Sequence, residues 1–206
     1  MKKLNNKAIE IAVSTFVTLI LVLLIFSYSV YLLWNLYYGG EEIYQGIDAK
    51  TQSAIERMLF SENSIVAIPI SRQEGKIGDK LVFGLGIRNI LDEPKTNFQI
   101  KVDFSNAYDE TTQKPIEGSN ENYMTTKWLG STKEFRETVK RFDKYKPMPL
   151  LVQVDSKIAS DKKTLPGVYV FNVCVTKADK SITKCDSTQK DKTYDNKVHS
   201  ISVVVK

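Results

Sequence analysis

The sequence contains one histidine, His199, and two cysteines, Cys174 and Cys185, in 206 residues. Neither a C-x-x-C spacing nor a second ligand pair is present, which excludes the usual zinc and dithiol redox sites. A Ser-His-Asp triad lacks its Gly-x-Ser-x-Gly elbow, so His199 is read as a packed or rim residue. No Asn-x-Ser/Thr acceptor occurs, and no cysteine heads the long apolar run to carry a lipid. Excess charge is also scarce. The net charge is +5, and beyond residue 40 the balance is 26 basic against 23 acidic side chains, which is no nucleic-acid footprint. No catalytic residue, cofactor, metal or nucleic-acid partner is therefore expected.

One absence is positive evidence. From Ile11 to Gly40 there is no charged side chain, and a helix of that length reaches roughly 45 Å, beyond the ~30 Å apolar core of a bilayer. Its centre, Thr18 to Phe26, is apolar on all sides rather than along one stripe. We expect a single transmembrane helix over 11–38 behind a cytoplasmic basic leader, residues 1–10, with the membrane as a partner. Lys2, Lys3 and Lys7 precede the segment and Glu41 and Glu42 follow it, so the amino terminus is expected in the cytoplasm and the remainder outside it. Tyr28, Tyr31, Trp34, Tyr37 and Tyr38 crowd the outer half; Trp34, Tyr37 and Tyr38 are the expected interface residues. A cleaved secretory signal has an apolar core of about 7 to 15 residues and a small-residue cleavage site. This run is longer and ends in bulky aromatics.

After Gly39-Gly40, Ile43, Ile47, Ala54, Ile55, Met58 and Leu59 recur at helical spacing, which predicts a membrane-proximal amphipathic helix within 39–62. It is read as lying on the domain that follows, because its stripe is too short for a heptad seam. From residue 63 the period becomes two. Strands are expected at Ile65 to Ile70, Lys80 to Ile90, Asn97 to Phe104, Leu150 to Asp155, Val168 to Thr176 and His199 to Val205. Phe98, Ile100, Val102 and Phe104 alternate with polar residues, which predicts one face on a core and the other in water. Ser131 to Tyr145 is open between helix and strand, and Ala107 to Thr126 reads as an exposed loop. Short strands with few helices between them argue for a mainly-β domain, an antiparallel sandwich of about seven strands over 63–206.

Two stretches resemble the immunoglobulin-like β-sandwich modules of archaeal and bacterial surface proteins. They are Phe83 to Pro94 followed by Phe98 to Val102, and Pro149 to Val154 followed by Leu165-Pro-Gly to Val173, with a proline-glycine lead into a late strand. The resemblance implies architecture rather than activity. The amino terminus resembles archaeal type IV pilin-like proteins, in which a basic leader precedes a hydrophobic helix and a β-rich head. That resemblance implies leader cleavage between Ala8 and Ile9. Glu10 would then stand second in the processed helix, whereas the family carries its glutamate five residues in.

Cys174 and Cys185 lie symmetrically about Asp179-Lys180, so a hairpin turning there would set them opposite each other for a disulfide, closing a loop worth on the order of 2 to 3 kcal/mol. Gly84-Leu-Gly86 lacks the third glycine and following helix of a dinucleotide loop and is read as relieving crowding in a strand. Asp186, Asp191, Asp195 and Asn196 are calcium-ligand types without the EF-hand order, and are read as a solvated loop. The leading functional expectation is a non-enzymatic, single-pass surface protein whose sandwich contacts an unknown surface protein, another copy of itself, or the envelope. The alternatives are a pilin-like filament subunit and a membrane-tethered enzyme.

Overall fold

The computed structural model describes residues 16–31, 47–141, 147–180 and 182–206, and the chain divides into two units, Met1–Gln45 and Gly46–Lys206. In the first, residues 16–31 form helix α1, with every side chain exposed. Two hydroxyls in it are satisfied internally, Ser27 Oγ donating to the Leu23 carbonyl and Ser29 Oγ to that of Ile25. Its sixteen residues measure about 24 Å. Among the described residues no helix is long and apolar enough to cross a membrane. The expected span, 11–38, extends past α1 at both ends, and Ala8, Ile9, Trp34, Tyr37 and Tyr38 lie outside the described residues.

The second unit opens with α2, Ala49–Glu56, whose Asp48 accepts from the Thr51 N–H as its cap, and which closes in a π-helical turn, Arg57–Ser61. The strands are β1 (Val66–Ala67), β2 (Arg72–Gly75), β3 (Lys80–Ile87), β4 (Lys95–Tyr108), β5 (Glu134–Lys140), β6 (Met148–Gln153), β7 (Gly167–Lys177) and β8 (His199–Val205). A short helix, α3 (Glu121–Lys127), and a 3-10 turn, Gly130–Lys133, lie between β4 and β5.

Two sheets form, ordered β1-β3-β6 and β2-β8-β7-β4-β5. All pairings are antiparallel except β2 on β8, which is parallel. This is the immunoglobulin-like arrangement. β3 and β6 take the places of strands B and E, β4, β5, β7 and β8 those of C, C′, F and G, and the first strand is split between both sheets. Phe83, Leu85 and Ile87 of β3 meet Phe98, Ile100 and Val102 of β4 and Tyr169, Phe171 and Val173 of β7 in one core. Tyr169 ties the start of β7: its hydroxyl donates to the Leu165 carbonyl at 2.7 Å and accepts from the Leu165 N–H at 3.1 Å. That is the tyrosine corner of such sandwiches, and Pro166-Gly167 serves it. A Cβ at Gly167 would sit 2.7 Å from the Tyr108 carbonyl oxygen, so β7 can approach β4 there only without a side chain.

Gly84 and Gly86 have the outward positions of β3, and α2 lies on them. A Cβ at Gly84 would sit 2.9 Å from Thr51 Cγ2 and 3.0 Å from Ile55 Cδ1; one at Gly86 would overlap Ile55 Cγ2 and stand 2.9 Å from Leu59 Cδ1. The two glycines are thus a seat for a helix. Ile55, Leu59 and Ala67, with Met58 beside them, form a cluster separate from the main core.

Several boundaries differ from the sequence expectations. The strand expected at Ile65 to Ile70 is only Val66–Ala67, and the chain then crosses to the other sheet as β2. Of Ser131 to Tyr145, the described part forms the end of the 3-10 turn and then strand β5, with alternating exposure along Glu134–Lys140, and 142–145 lie outside the described residues. The supposed loop after Ala107 contains α3, capped by Asn120 and burying Met124. The second face of β4 is not open to water: Gln99 and Asp103 are buried along with the apolar positions. Polar identity reported the direction of these side chains but not what later folds over them.

Replacing Gly86 with valine would force α2 off its seat. We expect a loss of about 1 to 3 kcal/mol, with a tryptophan near-ultraviolet signal from Trp128 close to native, since Trp128 belongs to the other cluster. A calorimetric scan with near-ultraviolet circular dichroism tests both.

Candidate functional site

What lies over the second face of β4 is the connection between β7 and β8, residues 178–198, and it builds one end of the sandwich together with the β3–β4 connection, residues 88–94. The disulfide joins Cys174 and Cys185 with Cα atoms 5.6 Å apart. The pairing is the expected one, but the hairpin is not. Cys174 lies on β7 opposite Lys101 of β4, whereas Cys185 belongs to no strand and reaches Cys174 from above the sheet. Cys174, Ile182 and Cys185 form a buried apolar cluster of their own, with Val198 against it.

Beneath this flap, Asp103 Oδ2 accepts the Cys185 N–H at 2.7 Å. Burial pushes the Asp103 carboxyl above the usual carboxylate range; the Cys185 N–H and Lys101 oppose that rise. Asn172 Nδ2 donates to the Cys185 carbonyl, so both backbone groups of Cys185 are held. Lys184 bridges to Glu121 of α3 at 2.7 Å, an ion pair that raises the lysine above its usual value. The pair is exposed to solvent and adds little stability.

The two connections are clasped by Tyr194. Its hydroxyl accepts the Ile90 N–H at 2.9 Å and donates to the Arg88 carbonyl at 3.1 Å, while its ring packs 4.7 Å from that of Phe98. The Tyr194 N–H meanwhile bonds the Val175 carbonyl at the end of β7. Asn89 secures the same connection from below. Nearly fully buried, it donates to Thr96 Oγ1 and the Val139 carbonyl and accepts the Leu91 N–H. Arg141 bonds Asp92 at 2.9 Å, and Lys177 reaches Glu93 at 3.5 Å. Ile90, 45 % exposed, is thereby presented on a braced loop.

His199 sits at the start of β8 with Nε2 2.6 Å from Asp195 Oδ2. Its neighbour Ser200 donates to Asn172 Oδ1 rather than to the imidazole, so no nucleophile–base pair forms between these two adjacent residues. The aspartates considered for calcium are dispersed in their bonding. Asp186 caps the 3-10 turn Ser187–Lys192 through Thr188, and Asp195 serves His199 and the Lys197 N–H. Among the described residues no group of three or more His, Cys, Asp or Glu side chains is placed to hold a metal ion. Depressions on the surface, such as that lined by Asn120, Tyr123, Lys127 and Ser160, are shallow and open.

Sequence reasoning missed Tyr194, Asn89 and Asp103. For Tyr194 no signal existed, because its partners are about a hundred residues away. For Asp103 there was a faint one, an acidic side chain between Val102 and Phe104 within a strong strand.

No protein-family model matches the chain, and no curated protein matches it in sequence. Solved structures similar to it include the CARDB domain of a Pyrococcus furiosus protein in complex with di-metal ions, at 10 % identity and a TM-score of 0.31, covering 68 % of this chain and 84 % of that one. Two type I cohesins from cohesin–dockerin complexes of Clostridium thermocellum are similar at 10 % and 11 % identity. Their TM-scores are 0.32 and 0.30, with 69 % of this chain covered in each case and 100 % and 95 % of theirs. None of these likenesses is close enough to bear on what this chain binds.

Two tests follow from the flap. Asp103→Asn keeps an acceptor for the Cys185 N–H and removes the desolvated charge. With the folded carboxyl raised, its contribution to stability is full below its ordinary value of 3.8 and fades as pH rises through the raised value. The variant should therefore gain on the wild type as pH climbs from about 3.8, whereas Asp103→Ala should lose about 1 to 3 kcal/mol at neutral pH for the orphaned N–H. Urea melts across pH 3 to 8 read both signs. Separately, the double change Cys174→Ala, Cys185→Ala should cost on the order of 2 to 3 kcal/mol, with amide exchange rising first over 178–198.

Proposed function

We propose that this chain is a non-enzymatic, single-pass membrane protein that displays its immunoglobulin-like sandwich outside the cytoplasm for protein contact, through the end built by residues 88–94 and 178–198. The observation that carries the contact surface is the braced display of Ile90. An exposed aliphatic side chain is ordinary on a mobile loop. Here Tyr194, Asn89 and Arg141 hold its loop, so little ordering entropy remains to be lost on binding. A rigid apolar group with exposed charged residues close by in the chain, Asp92, Glu93 and Lys95, suits an apolar interface centre with a polar rim. The partner is a surface protein or another copy of this chain.

Anchoring rests on the charge-free segment 11–38 and its basic leader, and the location on charge asymmetry together with the disulfide, which fits an oxidising compartment. A pilin-like reading is kept by the same leader and by the order of helix followed by β-rich head.

Three measurements separate these. A membrane-impermeant lysine reagent applied to intact cells should label Lys180 and Lys190, both exposed on the flap; labelling only after lysis would sink the outward location. Mass spectrometry of the mature amino terminus should find an uncleaved leader, and cleavage after Ala8 would favour the pilin-like subunit. A photo-crosslinking residue at position 90 should give a protein adduct on intact cells that one at Lys162, on the connection between β6 and β7, does not. Equal adducts at both positions would remove the case for this end as the contact surface.

A further inference from the structure

The seat of α2 has a mechanical consequence. Its tertiary hold is a cluster of Ile55, Leu59 and Ala67 with Met58, apart from the main core. Ile47, Thr51, Ile55 and Leu59 fill the space over Gly84 and Gly86, where the sheet itself offers no side chain. Past the helix, the Ser64 N–H bonds the Met58 carbonyl and Arg88 Nη1 donates to the Leu59 carbonyl, so the last turn is tied to the end of β3. The main core needs none of these groups. Val66 turns inward into it while Ala67 turns outward to α2, and β1 keeps its pairing with Ile87 and Gly86 whether or not a helix covers it.

We infer that α2 is a releasable strap: tension on the chain ahead of Asp48 peels it from the Gly84–Gly86 seat and lengthens the link while the sandwich stays folded. This deepens the anchored-display reading and rests on it for its purpose, since a fixed anchor is what supplies the pull. Peeling begins at Ile47 and ends at Leu59, one contact at a time, whereas unravelling a sheet needs many ladder bonds broken together. Once released, a helix of eight residues plus a five-residue π turn is too short to persist alone in water. It melts, and its length goes from about 20 Å to about 45 Å. Return to the seat restores the helix, because the glycine strip needs no rearrangement to receive it. The sandwich can then keep hold of a partner across a changing gap.

Single-molecule pulling on the full chain tests this, with one handle at Gly46→Cys and the other at the carboxy terminus. Two events are expected, a low-force reversible extension and then a larger rupture of the sandwich. Leu59→Ala should roughly halve the first force and leave the second unchanged. Moving the handle to Ser64→Cys should abolish the first event with the native α2 sequence intact. Reductant should lengthen only the second, by about 30 Å, the extended length of the eleven-residue separation less the 5.6 Å the disulfide already spans. A single rupture in the wild type, or a first event that persists from the Ser64 handle, would overturn the strap. Neither outcome depends on lipid. A chain that shows both events yet fractionates away from membranes would keep the strap and refute the anchoring.

Discussion

Strand β7 has a buried face on both sides, and that constraint organises the domain. One side carries Tyr169, Phe171, Val173 and Val175 into the core between the sheets. The other carries Cys174 and Thr176, neither of which keeps any contact with solvent. A strand covered twice needs a second layer, and a 21-residue connection stapled to Cys174 supplies it. From this follow the burial of Asp103 and Gln99 and the clasp of Tyr194. Phe171 stands two residues after the corner tyrosine, where antibody domains place the second cysteine of their inter-sheet disulfide. Here rings do the joining: Trp128 lies 4.8 Å from Tyr169 and 6.1 Å from Phe171, and Phe104 meets Phe171 edge-on at 5.7 Å. The cysteines are thereby left for the flap.

Both outer faces of the sandwich carry an added layer, but of different character. Over the five-stranded sheet the cover is covalently fixed and hydrogen-bonded to a buried carboxylate. Over β3 it is a short helix seated on two glycines. The first arrangement resists loss because the Cys174–Cys185 bond is covalent and because both backbone groups of Cys185 are held, the N–H by Asp103 and the carbonyl by Asn172. In the second, apolar contact over the glycines and hydrogen bonds at the end of the helix are the hold seen among the described residues. A mainly-β domain therefore carries one cover fixed by a disulfide and another held by packing on a glycine strip.

Much of the architecture was legible in the residues. Period-two runs placed β3, β4, β6, β7 and β8 to within a few positions, because strand side chains alternate and the core removes one set from water. Leu165-Pro-Gly-Val-Tyr169 pointed to the lead into β7, and Gly84-Leu-Gly86 to a strand rather than a phosphate loop. The failures share a cause. Glu121–Lys127 is polar enough to read as a loop and becomes a helix through Asn120 and the burial of Met124, while Glu134–Lys140 was made a strand by the free edge of β4 awaiting a partner.

By itself the sequence determined the local periods, the charge-free segment 11–38, the existence of a disulfide and the sandwich class, all of which depend on neighbours within a few residues or on composition. Tertiary structure alone decided that Cys185 comes from above the sheet rather than along it, that Tyr194 clasps Arg88 and Ile90, and that Gly84 and Gly86 receive a helix. These are contacts between segments some 30 to about 100 residues apart in the chain. No local pattern encodes them, because each depends on which face of which strand is still unfilled once the core has closed.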